Sequence, residues 1–242
     1  MCDETIENLY NTLRTINQLD NTYIVFTSDN GFHLGQHRLP AGKQTAYEED
    51  IHLPLIVRGP DVPQGQIVQH LTGNIDLAPT FADWAGAKAP EFIDGRSLAP
   101  LLRSKPPAPS AWRQAFLVEH WLESNQPQQR NDTMLEPIDH DQSAKIQNAK
   151  RTASQQRRQA RQSLAGDRIP EFHGLRTNDY TYVEYITGER EFYDLKNDPA
   201  QLNNLAETVK ASLLKEFAGR LAKLKNCRGA ECRMEEDKSL AP

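Results

Sequence analysis

The sequence predicts an α/β fold: a partial, mostly parallel sheet with flanking helices, followed by a small C-terminal α+β subdomain of one β-hairpin and one helix. Three observations predict it. Two short apolar runs rich in β-branched residues, Thr22–Ser28 and Leu53–Arg58, read as buried strands. Helical sequence lies before, between and after them, and strand–helix–strand alternation points to a parallel sheet with helices on its faces. Near the far end, the alternating runs Tyr180–Ile186 and Arg190–Leu195 flank Thr187-Gly188-Glu189 and read as a hairpin, followed by an amphipathic helix.

The elements follow in order. Ile6, Leu9, Tyr10, Leu13 and Ile16 fall at helix spacing, so 3–17 is expected to be an amphipathic helix. The first strand stops at Asp29-Asn30-Gly31, and 31–44 reads as loop. A short helix is expected over Thr45–Ile51, the second strand ends at Gly59-Pro60, Val68–Leu71 reads as a short strand, and Asp76–Ala85 as a helix. The proline cluster Ser104–Pro109 reads as a linker, and Ala115–Glu119 returns to strand. Leu205, Val209, Leu213, Leu214, Phe217, Leu221 and Leu224 form the stripe of the last helix, expected over Leu205–Leu224.

Composition shifts divide the chain into three: 1–122, 123–169 and 170–242. The middle segment is rich in Gln, Asn, Arg and Ser and reads as a polar, basic insertion, expected to be flexible. Its Lys145, Lys150, Arg151, Arg157, Arg158, Arg161 and Arg168 are either an anion-binding arm or a solvated charge run.

Hydrophobic residues make up 38% and charged residues 25%, and no apolar run approaches the roughly 18 residues of a membrane span. The net charge of −5 argues against whole-molecule attraction to nucleic acid, so any anion site is local. Met1-Cys2-Asp3-Glu4 has no basic or apolar leader, so no signal peptide is expected. Helical periodicity from the outset suggests a piece of something longer. Cys227 and Cys232 either close a small disulfide loop in an oxidising compartment or remain free thiols.

The chemistry gathers at the end of the first strand. In open α/β sheets ligands sit beyond the carboxyl ends of the strands, where Asp29 and Asn30 emerge. Both offer hard oxygen ligands suited to Ca²⁺ or Mg²⁺; Asp-Asn-Gly equally suits an ordinary tight turn. Lys43 lies near the start of the next helix, placed to return to that strand end and hold an anion. His33, His37 and Arg38 share the intervening loop. Histidine can protonate a leaving oxygen, and arginine can clamp a sulfate or carboxylate with two parallel bonds.

Asn21–His37, Gly42-Lys43, Tyr47-Glu48, Leu53–Pro60, Asn74–Thr80, Asp94–Leu98, Gly174–Thr177 and Tyr193–Pro199 with Asn204-Leu205 together resemble, in order, the later part of the sulfatase family. The likeness is greatest to the glycosaminoglycan-directed, N-acetylglucosamine-6-sulfatase-like branch. The resemblance implies an alkaline-phosphatase-superfamily fold and a sulfuric ester hydrolase that uses Ca²⁺ and a formylglycine nucleophile. It implies that Asp29 and Asn30 are the second pair of Ca²⁺ ligands and that Lys43 binds the sulfate and helps catalysis by neutralising charge. It further suggests His33 as a catalytic or substrate-contacting histidine and His173 and Arg176 as substrate-binding; His37 and Arg38 are candidate substrate-binding residues by their own chemistry in the loop. The family's Cys/Ser-x-Pro-x-Arg motif does not occur in these 242 residues; Ser104-Lys-Pro-Pro-Ala108 comes nearest and lacks the arginine. The resemblance therefore implies a chain inactive alone, whose partners are a sulfated carbohydrate and the missing N-terminal half of the same enzyme. A periplasmic or extracellular location is expected for the full-length protein. A phosphoryl or phosphonate ester hydrolase of the same superfamily, or a non-catalytic glycan-binding module, are the alternatives.

Overall fold

The computed structural model describes residues 2–122 and 169–240. The basic cluster from Lys145 to Arg168, and nearly all of the insertion expected at 123–169, lie outside the described residues. Met1–His120 together with Phe172–Pro242 form one compact unit, and Trp121–Glu171 is grouped as a second.

Helix α1 (Cys2–Thr15) opens with Asp3 and Glu4 in its first turn and Arg14 in its last, the signs that complement the helix dipole. Strands β1 (Ile24–Thr27) and β2 (Leu55–Arg58) pair with each other, and α2 (Glu48–Ile51) lies between them in sequence. The class is α/β as predicted, but this pairing is antiparallel: Ile24 faces Arg58 and Thr27 faces Leu55. A parallel return needs a crossover, usually a helix that spans the sheet. Helix α2 is a single turn of four residues, so the chain folds back on β1 instead of crossing over.

Helix α3 (Leu77–Trp84) follows, and its Trp84 stacks on Tyr23 with ring centroids 3.9 Å apart. Leu98, Leu101 and Trp112 form a small core beside it, with Leu55, Val68 and Leu77 packed on top. The stretch expected as a strand at Val68–Leu71 is irregular. Side chains satisfy its surroundings instead of a ladder: Trp112 Nε1 donates to Leu71 O, and Gln66 Nε2 donates to Leu101 O and Arg103 O.

The second sheet has four antiparallel strands in the order β3 (Ala115–His120), β4 (Phe172–Thr177), β5 (Tyr180–Tyr185), β6 (Arg190–Asp194). Strand β3 precedes residue 122, so the first and third segments read from the sequence share one sheet. The β5–β6 turn uses Gly188 at φ +103°, a conformation that favours glycine, and closes with Gly188 N donating to Tyr185 O.

Helix α4 (Ala211–Leu224) covers one face of this sheet. Phe217, Leu221 and Leu224 pack there on Ala115, Leu175, Tyr182 and Phe192. The apolar stripe continues back to Leu205, but the helix begins six residues later than that stripe predicts. Asn204 explains the delay: its Oδ1 accepts from the amides of Phe192 and Ala206, and Leu205 N donates to Phe192 O. The chain is thus held to β6 at Asn204 and Leu205, just before the helix.

A last helix, α5 (Ala230–Glu236), was not anticipated from the sequence. A disulfide joins Cys227 to Cys232 across its start. Its Glu236 accepts from Arg113 Nε at 2.8 Å, while the same guanidinium makes two bonds to Asp76 at 2.6 and 2.8 Å. Arg113 and Asp76 are fully buried, so each is the other's compensation for lost solvent. This clasp ties the start of α3, the entry to β3 and the end of α5 together.

Candidate active site at the end of β1

The end of β1 is pinned from three sides. Asn74 Nδ2 donates to the carbonyls of Ser28 and Asp29 at 3.0 and 3.1 Å, and Ser28 Oγ donates to Asn30 O. Gly31 N donates to Asp50 O, and Phe32 N donates to Glu49 O. Gly31 is required here by proximity: a Cβ at this position would lie 1.9 Å from Glu49 O. The turn and α2 are therefore in direct backbone contact.

The loop then doubles back. His33 and Gly42 exchange both backbone hydrogen bonds, at 2.9 and 3.0 Å, which returns the next residue to the strand end. Lys43 Nζ donates to Asn30 Oδ1 at 2.6 Å and stands 4.0 Å from Asp29 Oδ2. Asp29, Asn30 and Lys43, picked out separately in the sequence, thus converge on one point. The Asp29 side chain is 84% exposed and the Lys43 side chain 49%, so an ion or ester can reach both.

All three line a cleft of about 1890 Å³. Arg176 reaches the same cleft from β4. Its Nε and Nη2 donate to the two Glu48 carboxylate oxygens at 2.7 and 3.1 Å. Its Nη1 is buried and has no hydrogen-bond partner among the described residues.

The other expected residues are placed differently. His33 is 3% exposed, and its Nδ1 lies 2.8 Å from Asp50 Oδ1. Asp50 Oδ2 also accepts from the backbone amide and the hydroxyl of Thr45. His33 is thus a brace that fixes the loop to α2, and it does not line the cleft. His37 stacks flat on Tyr47 at 3.6 Å, and Arg38 is exposed beside it. Neither lines the cleft. Both hold positive φ, 54° and 60°, a costly conformation for non-glycine residues. His173 lies an odd number of residues from Arg176 on β4, so it points to the opposite face. There its Nδ1 lies 2.8 Å from Glu119 Oε1.

Several residues that shape the site carry no local signal of their role. Glu48, at the first position of α2, is held by Arg176 through its side chain and by Gln201 Oε1 through its amide. Glu191 on β6 takes a hydrogen bond from Tyr47 at 3.3 Å, and Tyr185 and Tyr193 also donate to it. Burial pushes the Glu191 carboxyl above its usual range against the pull of these hydroxyls. Burial and the nearby Glu191 push the Tyr47 hydroxyl up to about 12. These pairings span more than a hundred residues of sequence, and only the fold brings them together.

The family resemblance implies Ca²⁺ at this strand end. The residues present fit a hard cation in kind, since Asp29 presents an open carboxylate and Asn30 an amide oxygen. They fit it only in part, because Ca²⁺ takes six to eight oxygens and these two side chains offer fewer. No cluster of three or more His, Cys, Asp or Glu able to hold a metal occurs among the described residues.

Comparison with known proteins follows the same line. Residues 1–87 match the family model described as Sulfatase. Human N-acetylglucosamine-6-sulfatase is 34% identical over 241 residues, which cover 96% of this chain and 40% of that protein. The arylsulfatase of Chlamydomonas reinhardtii is 32% identical over 252 residues, covering 95% of this chain and 34% of the relative. Among solved structures, BT4656 in complex with its substrate D-glucosamine-2-N,6-O-disulfate superposes with a TM-score of 0.71 at 29% identity, covering 98% of this chain and 40% of that one. The phosphonate monoester hydrolase of Agrobacterium radiobacter gives 0.65 at 25% identity, covering 92% of this chain and 38% of that one. The chain thus spans 34–40% of the length of these relatives. It carries a sulfatase-family domain at residues 1–87, and along nearly its whole length it is similar to sulfatases, which share the alkaline-phosphatase fold.

Proposed function

We propose that this chain supplies the cation- and sulfate-holding side of a sulfuric ester hydrolase acting on a sulfated carbohydrate. The observation that carries this reading is the convergence of Lys43, Asn30 and Asp29 at one strand end, open to a cleft. Lys43 is a compact cation on a flexible stem, suited to neutralising charge on a sulfate oxygen. Asp29 and Asn30 would hold Ca²⁺, which when bound supplies a Lewis acid for the sulfate oxygens. Arg176, with one guanidinium nitrogen unpaired in the same cleft, is a candidate for a second anionic group of the substrate. The disulfide between Cys227 and Cys232 supports a periplasmic or extracellular location for the protein that carries this site.

The nucleophile motif that the family uses does not occur in the 242 residues. On this reading the isolated chain has no turnover, and a polypeptide bearing that motif completes the site. The test is sulfate release from a 6-O-sulfated glucosamine, measured for the chain alone and with such a polypeptide. The expected result is no release alone. Release by the isolated chain overturns the division of the site, and failure of Lys43→Ala to weaken sulfate binding overturns the role of Lys43. A second reading, phosphonate monoester hydrolysis, is favoured by the structural likeness to phosphonate monoester hydrolases. Matched sulfate and phosphonate esters separate the two.

A further inference from the structure

The loop that carries Lys43 is anchored far from the cleft. Tyr47 caps the start of α2, four residues after Lys43. One face of its ring carries His37, stacked at 3.6 Å with an interplanar angle of 9°. Its edge meets Tyr193 at 6.0 Å, and its hydroxyl reaches Glu191. Glu191 is the common acceptor for Tyr47, Tyr185 and Tyr193. His37 and Arg38 hold left-handed backbone conformations in this same loop, and such conformations persist only where surrounding structure enforces them. The stack of His37 on Tyr47 braces the loop at this point, and Tyr47 in turn reaches β6 through Glu191.

We propose that Glu191 is a positioning residue for Lys43: through Tyr47 and the stacked His37 it holds the loop closed, so that the His33–Gly42 bridge delivers Lys43 to Asn30. The proposal rests on the sulfatase reading for its purpose, but its geometry is independent of substrate. The titratable groups facing this cluster are Tyr47, Tyr185 and Tyr193, with His37 and Glu49 from the loop and α2, and Glu189 from the β5–β6 turn. Arg176 and Glu48 neutralise each other beside it. Burial favours the uncharged form of Glu191 in the fold. Its folded pKa therefore lies above the unfolded one, near 4.3. The hold it provides is complete below that value and weakens as pH rises through the folded pKa.

The test is amide hydrogen exchange on the full chain across that pH range, read at the His33 and Gly42 amides and corrected for intrinsic rates. In the wild type, protection of these two amides falls several-fold as pH rises. In Glu191→Gln the profile is flat, and in Tyr47→Phe, which keeps the ring and the stack, the pH dependence is lost. Amides of the central strands β4 and β5 keep wild-type protection in both variants. A Glu191→Gln profile that follows the wild type at His33 and Gly42 overturns the proposal. So does a uniform fall across β4 and β5, which means a general structural role. Loss of sulfatase activity in some other assay leaves this measurement unaffected, so the two readings fail separately.

Discussion

The two faces of the four-stranded sheet are built from alternate residues of the same strands, yet they do opposite work. Ala115, Leu175, Tyr182 and Phe192 point to α4 and make an apolar core with Phe217, Leu221 and Leu224. Arg176, Thr181, Glu191 and Tyr193 point the other way, where Arg176 holds Glu48 and Glu191 holds Tyr47. One face secures the subdomain through dispersion and burial. The other secures a loop through directed polar bonds. The difference teaches that a β-strand can serve stability and positioning at once, because its period of two keeps the two jobs apart. It also explains why His173 and Arg176, only three residues apart, cannot share a site.

The largest expected effect breaks the apolar face. Phe217→Ala removes a ring that is 1% exposed and is expected to cost about 3–5 kcal/mol, measured by urea denaturation. Next comes the polar face: Arg176→Met leaves the Glu48 carboxylate without its guanidinium and is expected to cost about 1–3 kcal/mol. If both variants lose the same stability and the same loop order, the two faces are not separate. A smaller loss, about 0.5–1.5 kcal/mol, is expected for Tyr47→Phe, with amide exchange localised to the loop. His173→Ala removes a partly exposed pair with Glu119 and is expected to cost at most about 1 kcal/mol. Smallest of all, Lys43→Ala is expected to change stability by no more than about 0.5 kcal/mol, because its side chain is half exposed, while abolishing sulfate binding detected by titration.

Some of this was legible in the sequence and some was not, for physical reasons. The ends of β1 and β2 were legible because apolar runs stop sharply at Asp29-Asn30-Gly31 and Gly59-Pro60. The stripe of α4 was legible from Phe217 and Leu221, but its start was not, since Asn204 competes for the backbone from another strand. Strand direction was hidden because a one-turn helix and a crossover helix look alike over so few residues. In the site, Lys43 was legible as a charge near a helix start, and the family resemblance suggested its role, but the roles of Glu48 and Glu191 depend on partners 128 and 144 residues away. The sequence left the cysteine pair open, and the fold closes it by bringing α5 back onto the end of α4.

Strand β3 has one further consequence. Its ladder with β4 joins residues on either side of Trp121–Glu171, while β4, β5 and β6 follow one another through short turns. Local hairpins form quickly, and pairings distant in sequence form slowly. Contact order therefore predicts that β4–β6 and α4 form first and that β3 docks afterwards. Until it docks, Ala115 is missing from the core and Arg113 has not reached Asp76. Newly made chains would thus pass through a stage with one sheet edge open and an unpaired buried-site arginine, which is when a chaperone or a protease has its best access.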